Sequence, residues 1–261
     1  MAAVATHAQQ RPRTAPVISL RQPPTTNVAN LQTRCATCNL RERCLPCGLS
    51  GSDAARAEEL IHTRKHLKRG DILYRAGDPF LSLYALRSGF FKSTLMLDDG
   101  RDQVAAFHMG GEMLGMDGIG SGSHGTEAIA LEDSEVCVIP YARLRELTRE
   151  IALLQTQFHK VMSREITREH GVMMLLGSMR AEERLAAFLL NLAQRFDARG
   201  YSKSDFHLRM SREEIGSYLG LKLETVSRAF SKLQDQGLIS VQQKHVRILD
   251  AEGLRTAMGR H

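Results

Sequence analysis

The stretch from Ser211 to Leu249 reads SREEIGSYLGLKLETVSRAFSKLQDQGLISVQQKHVRIL, and its punctuation decides the fold of the C-terminal part. Ser211 with Glu214 three residues later is a capping box that opens a helix over REEIGSYL. Gly220 breaks that helix, a second one follows from about Leu223 to Gln236, and Gly237 ends it. Beyond it, LISVQQKHVRIL reads as two short strands around Gln243-Lys244. Helix, tight turn, helix and hairpin make a winged helix-turn-helix, with Ile215, Leu219, Val226, Phe230, Leu233 and Leu238 as its core. One local choice runs against the pattern: Lys222, near the start of the second helix, is a poor capping residue beside Ser, Thr or Asp.

A helix of this kind enters the DNA major groove by its N-terminal part. With Val226, Phe230 and Leu233 turned inward, Glu224, Ser227 and Arg228 face outward. A glutamate carboxylate accepts from cytosine N4, an arginine donates two bonds to guanine, and a serine is a short polar contact. Arg212, Lys222, Thr225 and Lys232 are expected on phosphates, which supply affinity rather than sequence discrimination. Alone, the same three residues also read as a solvated Glu–Arg pair four positions apart on a helix surface.

Residues 178–261 form this domain; from position 179 onward it carries fourteen Lys/Arg against ten Asp/Glu, most of the chain's net charge of +6. It begins with the helix RAEERLAAFLLNLAQRF. Before it, residues 141–177 form a long helical region after Pro140, a residue suited to a helix N-terminus. Between Ile151 and Leu176 there is no proline and one glycine, Gly171. Met162, Ile166 and Met173 lie near one face with Glu169 on the same stripe, which reads as a homodimer seam, with packing onto the preceding domain as the alternative.

Residues 51–140 begin with a helical pattern from about Asp53 to Lys68 and then change character. Eleven of the 21 glycines fall between Gly70 and Gly125, separating segments such as DILYRAG, FLSLYALRSG, FFKSTLML, VAAFHMG and SEVCVIP. Short strands between glycine turns argue an antiparallel β-roll. DDGRD at 98–102 reads as a hairpin turn centred on Asp99-Gly100. Residues 1–33 hold four of the seven prolines and no acidic residue, with Arg11, Arg13 and Arg21 as their charges. They read as a flexible basic leader, with a DNA-binding arm as the alternative.

No apolar run is long enough to span a bilayer, and the N-terminus lacks the apolar stretch of a secretion signal. A cytoplasmic chain without a membrane partner is expected. Five cysteines sharpen this: an odd number without a secretion signal argues for reduced thiols rather than a disulfide scaffold. Four of them, Cys35, Cys38, Cys44 and Cys47, lie in a cysteine-rich loop at 34–50. They could close a local zinc knuckle, which the spacing mildly favours. Alternatively, three could combine with the distant Cys137, and four thiolates suit zinc or an iron–sulfur cluster alike.

Taken together, these features resemble the FNR branch of the bacterial CRP/FNR transcription regulators, from about Cys35 to the C-terminus. The likeness rests on Cys-x2-Cys-x5-Cys with one distant cysteine, on Glu-x-x-Ser-Arg at 224–228, and on ALRSG, AEERLAAF and IGSYLGL. It implies an α+β chain: an N-terminal cyclic-nucleotide-binding-like β-roll, a long dimerisation helix and the C-terminal winged helix-turn-helix. It implies a [4Fe-4S] cluster on Cys35, Cys38, Cys44 and Cys137, with Cys47 an extra thiol. It further implies an oxygen sensor, not an enzyme, whose cluster-bearing homodimer binds two-fold TTGAT…ATCAA DNA and touches RNA polymerase through β-roll loops, 98–102 among them. No acid–base constellation accompanies the cysteines. Cyclic-nucleotide members of this family follow a Gly-Glu turn with an arginine phosphate clamp. Here Gly111-Glu112 is present but the later stretch is HGTEAIA, so no cyclic nucleotide is expected. Glu169 matches the acidic residue that such proteins use to keep the clusterless chain monomeric, and Arg43 sets a positive charge beside Cys44.

Overall fold

Glycine turns and β-branched or aromatic segments between Thr63 and Pro140 do produce a roll. In this computed structural model the described residues are 35, 38–61, 63–96 and 100–258. A helix α1 (Gly51–Leu60) precedes eight strands: β1 (Thr63–Leu67), β2 (Ile72–Tyr74), β3 (Ser82–Ser88), β4 (Phe90–Met96), β5 (Asp102–Met109), β6 (Met113–Leu114), β7 (Glu127–Ala130) and β8 (Ser134–Pro140). They form two four-stranded antiparallel sheets, ordered β1-β8-β3-β6 and β2-β7-β4-β5. Tyr74, Tyr84, Leu86, Phe91, Leu114, Ala128 and Val136 are buried together as one core of the roll. Gly89 makes the passage from β3 to β4 at φ +95°, where an added Cβ would fall 2.0 Å from the Ser134 hydroxyl; only glycine fits there.

The expected helix from Asp53 to Lys68 is half right. It stops at Leu60, and Thr63–Leu67 is a strand paired with β8 from Thr63↔Val138 to Leu67↔Ser134. Pairing to a partner some seventy residues away overrides the local pattern. The hairpin expected at 98–102 joins strands that pair from Phe90↔Met109 to Met96↔Asp102. Asp98 and Asp99 themselves lie outside the described residues, as does the leader 1–33.

Helix α3 (Tyr141–Glu150) follows Pro140, and the 27-residue α4 (Ala152–Ser178) follows a break at Ile151. Then come α5 (Ala181–Asp197), β9 (Asp205–His207), α6 (Arg212–Leu219), α7 (Leu223–Asp235), β10 (Ile239–Gln242), β11 (His245–Ile248) and α8 (Ala251–Met258). The hairpin β10–β11 is joined by β9 in a three-stranded sheet.

The two halves share a core. Phe90, Val104, Phe107 and Met109 of the roll cluster with Leu185, Phe188, Leu189, Ile215 and Tyr218. Phe107, Phe188 and Tyr218 form an aromatic triangle with centroids 5.1, 5.8 and 6.1 Å apart. Polar contacts reinforce it: Lys92 pairs with Glu214 at 2.9 Å, and the Ser217 hydroxyl accepts from the Val104 amide at 2.8 Å. A second core joins Leu45 and Leu49 of the cysteine loop to α1, α3, α4 and the outer face of β3 and β8.

Candidate nucleic-acid interface and cysteine site

The helix-turn-helix is built by local rules. The Ser211 hydroxyl accepts from the Glu214 amide at 3.1 Å and the Glu214 carboxylate accepts from the Ser211 amide at 2.6 Å, closing the capping box. Gly220 ends α6 at φ +63°, and the turn packs so closely that a Cβ on Gly216 would lie 2.6 Å from the Leu221 carbonyl. Ile215, Leu219, Val226, Phe230 and Leu233 are buried and Leu238 is half-buried. Helix α7 therefore turns Glu224 and Arg228 to the outer surface, with Thr225 and Ser227 beside them. Lys222 is exposed and makes no side-chain cap. Arg212 lies over the Phe230 ring, 4.5 Å from its centroid, and Lys232 is engaged with Glu182 at 2.9 Å. Of the residues expected on phosphates, Lys232 is thus already partnered within the protein.

Helix α4 carries its apolar residues on two sides. Leu154 is buried and Phe158, Val161 and Val172 pack against the two cores. On the remaining surface Ile166 is 50% exposed and Met173 68%, with Glu169 exposed and Met162 half-buried. This leaves an apolar stripe exposed on a long helix, which is costly in water.

The cysteine loop is a succession of turns anchored by buried Leu45 and Leu49, with the Arg41 guanidinium donating to the Leu49 carbonyl at 2.6 Å. Cys137 lies on β8, paired in register with Arg64 of β1 and Ala85 of β3. All five cysteines are half-buried. Burial pushes the Cys35 thiol up to about 11 and the Cys44 thiol up to about 12, and raises Cys137. Neighbouring thiols add to this rise: Cys35 and Cys44 each feel Cys137 and Cys38, and Cys137 feels Cys38. Cys47 enters none of these pairings and points at the Glu42 carboxylate, 3.7 Å away. Cys35, Cys44 and Cys137 pack against the same hydrophobic core, and Cys47 is not among the residues packed there.

Around Cys38 and Cys137 sits a cationic frame. Glu135 accepts from Arg64 at 3.1 Å and from Arg87 at 2.7 Å, while Arg87 also reaches Cys38. Among the described residues, Arg64 Nε is buried without a hydrogen-bond partner, as is Glu58 Oε1 near Cys35. A buried orphan donor normally has a partner, and a thiolate or inorganic sulfide beside Cys137 would be one. Among the described residues no group of three His, Cys, Asp or Glu side chains is arranged to hold a single metal ion. Four thiolates suit an iron–sulfur cluster as they suit zinc, so the donor set fits a cluster in its chemistry.

A buried ionic centre leaves no local signal in the sequence. Glu112, on the turn between β5 and β6, accepts from Arg195 of α5 at 2.7 and 3.1 Å, from Arg168 of α4 at 2.8 Å and from Arg199 at 2.6 Å. Burial alone would raise its pKa, but Arg195, Arg168 and Arg199 reverse this and hold the carboxyl well below the usual carboxylate range. Removing one partner from such a site costs about 3–5 kcal/mol. Next to it His108 is bound by Ser93 at 2.9 Å and approached by Arg168 at 3.4 Å; burial and then the Arg168 cation push it down to about 3. The Gly-Glu carboxylate is therefore occupied by the chain's own arginines. Thr126 is held by Asp117, and Glu127 lies 3.6 Å from Arg75. Among the described residues no helix is long and apolar enough to cross a membrane.

Comparison with known proteins agrees with this architecture. Residues 64–150 match the family model of the cyclic nucleotide-binding domain, and residues 183–257 that of the Crp-like helix-turn-helix domain. The chain is 46% identical over 225 residues to the transcriptional regulatory protein btr of Bordetella pertussis, covering 86% of this chain and 93% of that protein. It is 44% identical to the transcriptional activator protein anr of Pseudomonas aeruginosa (84% and 90% covered). It is 39% identical to the fumarate and nitrate reduction regulatory protein of Salmonella typhimurium (86% and 90%). Among solved structures, FixK2 from Bradyrhizobium japonicum superposes with a TM-score of 0.68 at 30% identity, covering 74% of this chain and 96% of that one. With a roll, a long helix and a DNA-reading helix in one chain, this protein belongs to the CRP/FNR family and is a DNA-binding transcription regulator, not an enzyme.

Proposed function

We propose that the chain is an oxygen-responsive regulator acting in the cytoplasm, whose DNA-binding form is a homodimer with a [4Fe-4S] cluster on Cys35, Cys38, Cys44 and Cys137. The observation that carries this reading is that Cys35 and Cys44 of the loop pack against the same core as Cys137 of β8, with Cys38 bearing on all three, while Cys47 lies 3.7 Å from the Glu42 carboxylate. When bound, the cluster supplies a group that oxygen oxidises and dismantles. The chain's own residues do the rest. Cys35, Cys38 and Cys44 tie the loop to β8 through Cys137, with Arg64 and Arg87 offsetting the charge of four thiolates. The tied loop settles Leu45 and Leu49 against α1, α3 and the start of α4, and α4 pairs with its twin through Met162, Ile166 and Met173. Glu169 faces its symmetry mate there, and repulsion between the two carboxylates separates the chains when the loop is released.

Pairing sets two α7 helices about 34 Å apart, one turn of DNA. Each would read half of a two-fold TTGAT…ATCAA site with Glu224, Ser227 and Arg228, while Arg212, Lys222 and Thr225 meet phosphates; Lys232 does so only on leaving Glu182. The loop at 98–102 is the proposed contact to RNA polymerase. The occupied Glu112 and the missing arginine near Thr126 support the absence of cyclic-nucleotide binding.

Anaerobic purification followed by iron and sulfide analysis tests the cofactor. A brown protein that bleaches in air, with Cys137→Ala losing iron and Cys47→Ala keeping it, is the expected result. A colourless protein with one zinc, lost in Cys47→Ala and retained in Cys137→Ala, would replace it with a structural zinc regulator. For base reading, Glu224→Ala or Arg228→Ala should each cost about 1–3 kcal/mol at one half-site position and relax preference there; unchanged specificity sinks that assignment.

A further inference from the structure

The β5–β6 turn lies between three parts of the molecule that have separate tasks. From one side the cysteine loop rests on it: a Cβ placed on Gly110 would meet the Leu40 side chain at 3.1 Å, and one on Gly111 would meet Arg43 at 3.2 Å. From the other side α5 grips it. Arg199 donates to the Gly110 carbonyl at 2.5 Å and to Glu112, and Arg195 donates to the Phe107 carbonyl at 2.7 Å and to Glu112. From α4, Arg168 completes the group and is itself paired with Glu165.

We infer that Glu112 is the positioning residue that couples the loop at 38–44 to the dimer helix α4 and, through the C-terminal turns of α5, to the DNA-binding domain. Three guanidinium groups share one carboxylate, and Glu165 offers a second negative charge to Arg168 alone. The arginines come from α4, from α5 and from just beyond its end, and they would repel one another without Glu112, an interaction that is strong at this burial. A small displacement of the Gly110–Gly111 turn therefore loosens both helices together rather than one of them. Arg43, set next to Cys44, acts on this turn: its stem packs on Gly111 and its charge bears on Arg199. That the natural trigger is cluster loss rests on the proposed function; the mechanical coupling does not.

A double-mutant cycle on the full-length chain tests it, read by amide hydrogen exchange in segments 164–172 of α4 and 194–199 at the end of α5. Leu40→Ala, which withdraws the loop from Gly110, should raise exchange in both segments about fivefold or more. In the Glu112→Gln background the same loop change should add less than about twofold, because the relay is already cut. Equal factors in the two backgrounds, or no effect of Leu40→Ala in either, overturn the inference. Should Glu112→Gln not fold, Arg195→Gln takes its place, leaving Arg168 and Arg199 on the carboxylate. Iron and sulfide are measured on the same samples. Their absence from the unsubstituted chain would end the oxygen reading without altering the coupling that the cycle measures.

Discussion

His108 shows what a single buried side chain does to stability. Its ring bonds Ser93 and faces Arg168, and its pKa is pushed down to about 3. In the unfolded chain a histidine titrates near 6.5. Between those values the unfolded chain binds a proton that the native chain refuses, so stability falls as pH drops through this window. This group contributes up to about 1.4 kcal/mol per pH unit. Urea unfolding of His108→Asn should show a shallower decline than the parent between pH 6 and 4, by most of that slope; an unchanged slope would mean that His108 is protonated in the native chain. Nothing local announces this role. Glu224, Ser227 and Arg228 can be placed on one outward face because helical periodicity fixes it within seven residues. Glu112 takes its partners from positions 56, 83 and 87 residues away, and no pattern in the sequence joins them.

Elements divide in the same way between those made by local signals and those made by pairing. The capping box at Ser211, the stop at Gly220 and the stop at Gly237 are legible because each is a short-range backbone requirement. β1 reads locally as helix and β9 leaves no local signal, because both exist by hydrogen bonding to β8 and β11. Gly216 tests how tightly the turn is built. Glycine to alanine inside a helix ordinarily gains about 1 kcal/mol from propensity. Here the new Cβ would meet the Leu221 carbonyl at 2.6 Å, backbone that cannot swing away like a side chain end. Gly216→Ala should therefore destabilise the chain by about 1–3 kcal/mol and weaken DNA binding by displacing α7. Denaturant unfolding and a binding titration check this, and a stabilised variant would refute the close approach. Ser211→Ala, losing only a cap, should cost about 1 kcal/mol and leave base preference unchanged.

For the molecule as a whole, charge and exposed apolar surface must be explained together. The excess of basic residues from position 179 onward gives the DNA-binding domain its phosphate attraction, and under the proposed function one domain neutralises only the phosphates under its own half-site. On the proposed function, the exposed stripe with Ile166 and Met173 on α4 decides whether two domains act as one ligand. Salt dependence separates the cases: the logarithm of the binding constant falls against that of salt in proportion to the phosphates neutralised. Ile166→Glu with Met173→Glu places new charges opposite their own copies across the proposed seam and should convert the anaerobic protein to a monomer in sedimentation. Its affinity for two-fold DNA should then fall, and its salt slope should drop to about half that of the parent, because half of the phosphate contacts leave with the second chain. Glu169→Ala should move the balance the other way, strengthening the dimer by removing a like-charge pair. If the double variant still sediments as a dimer with the full slope, the chains meet elsewhere and the α4 stripe serves another partner.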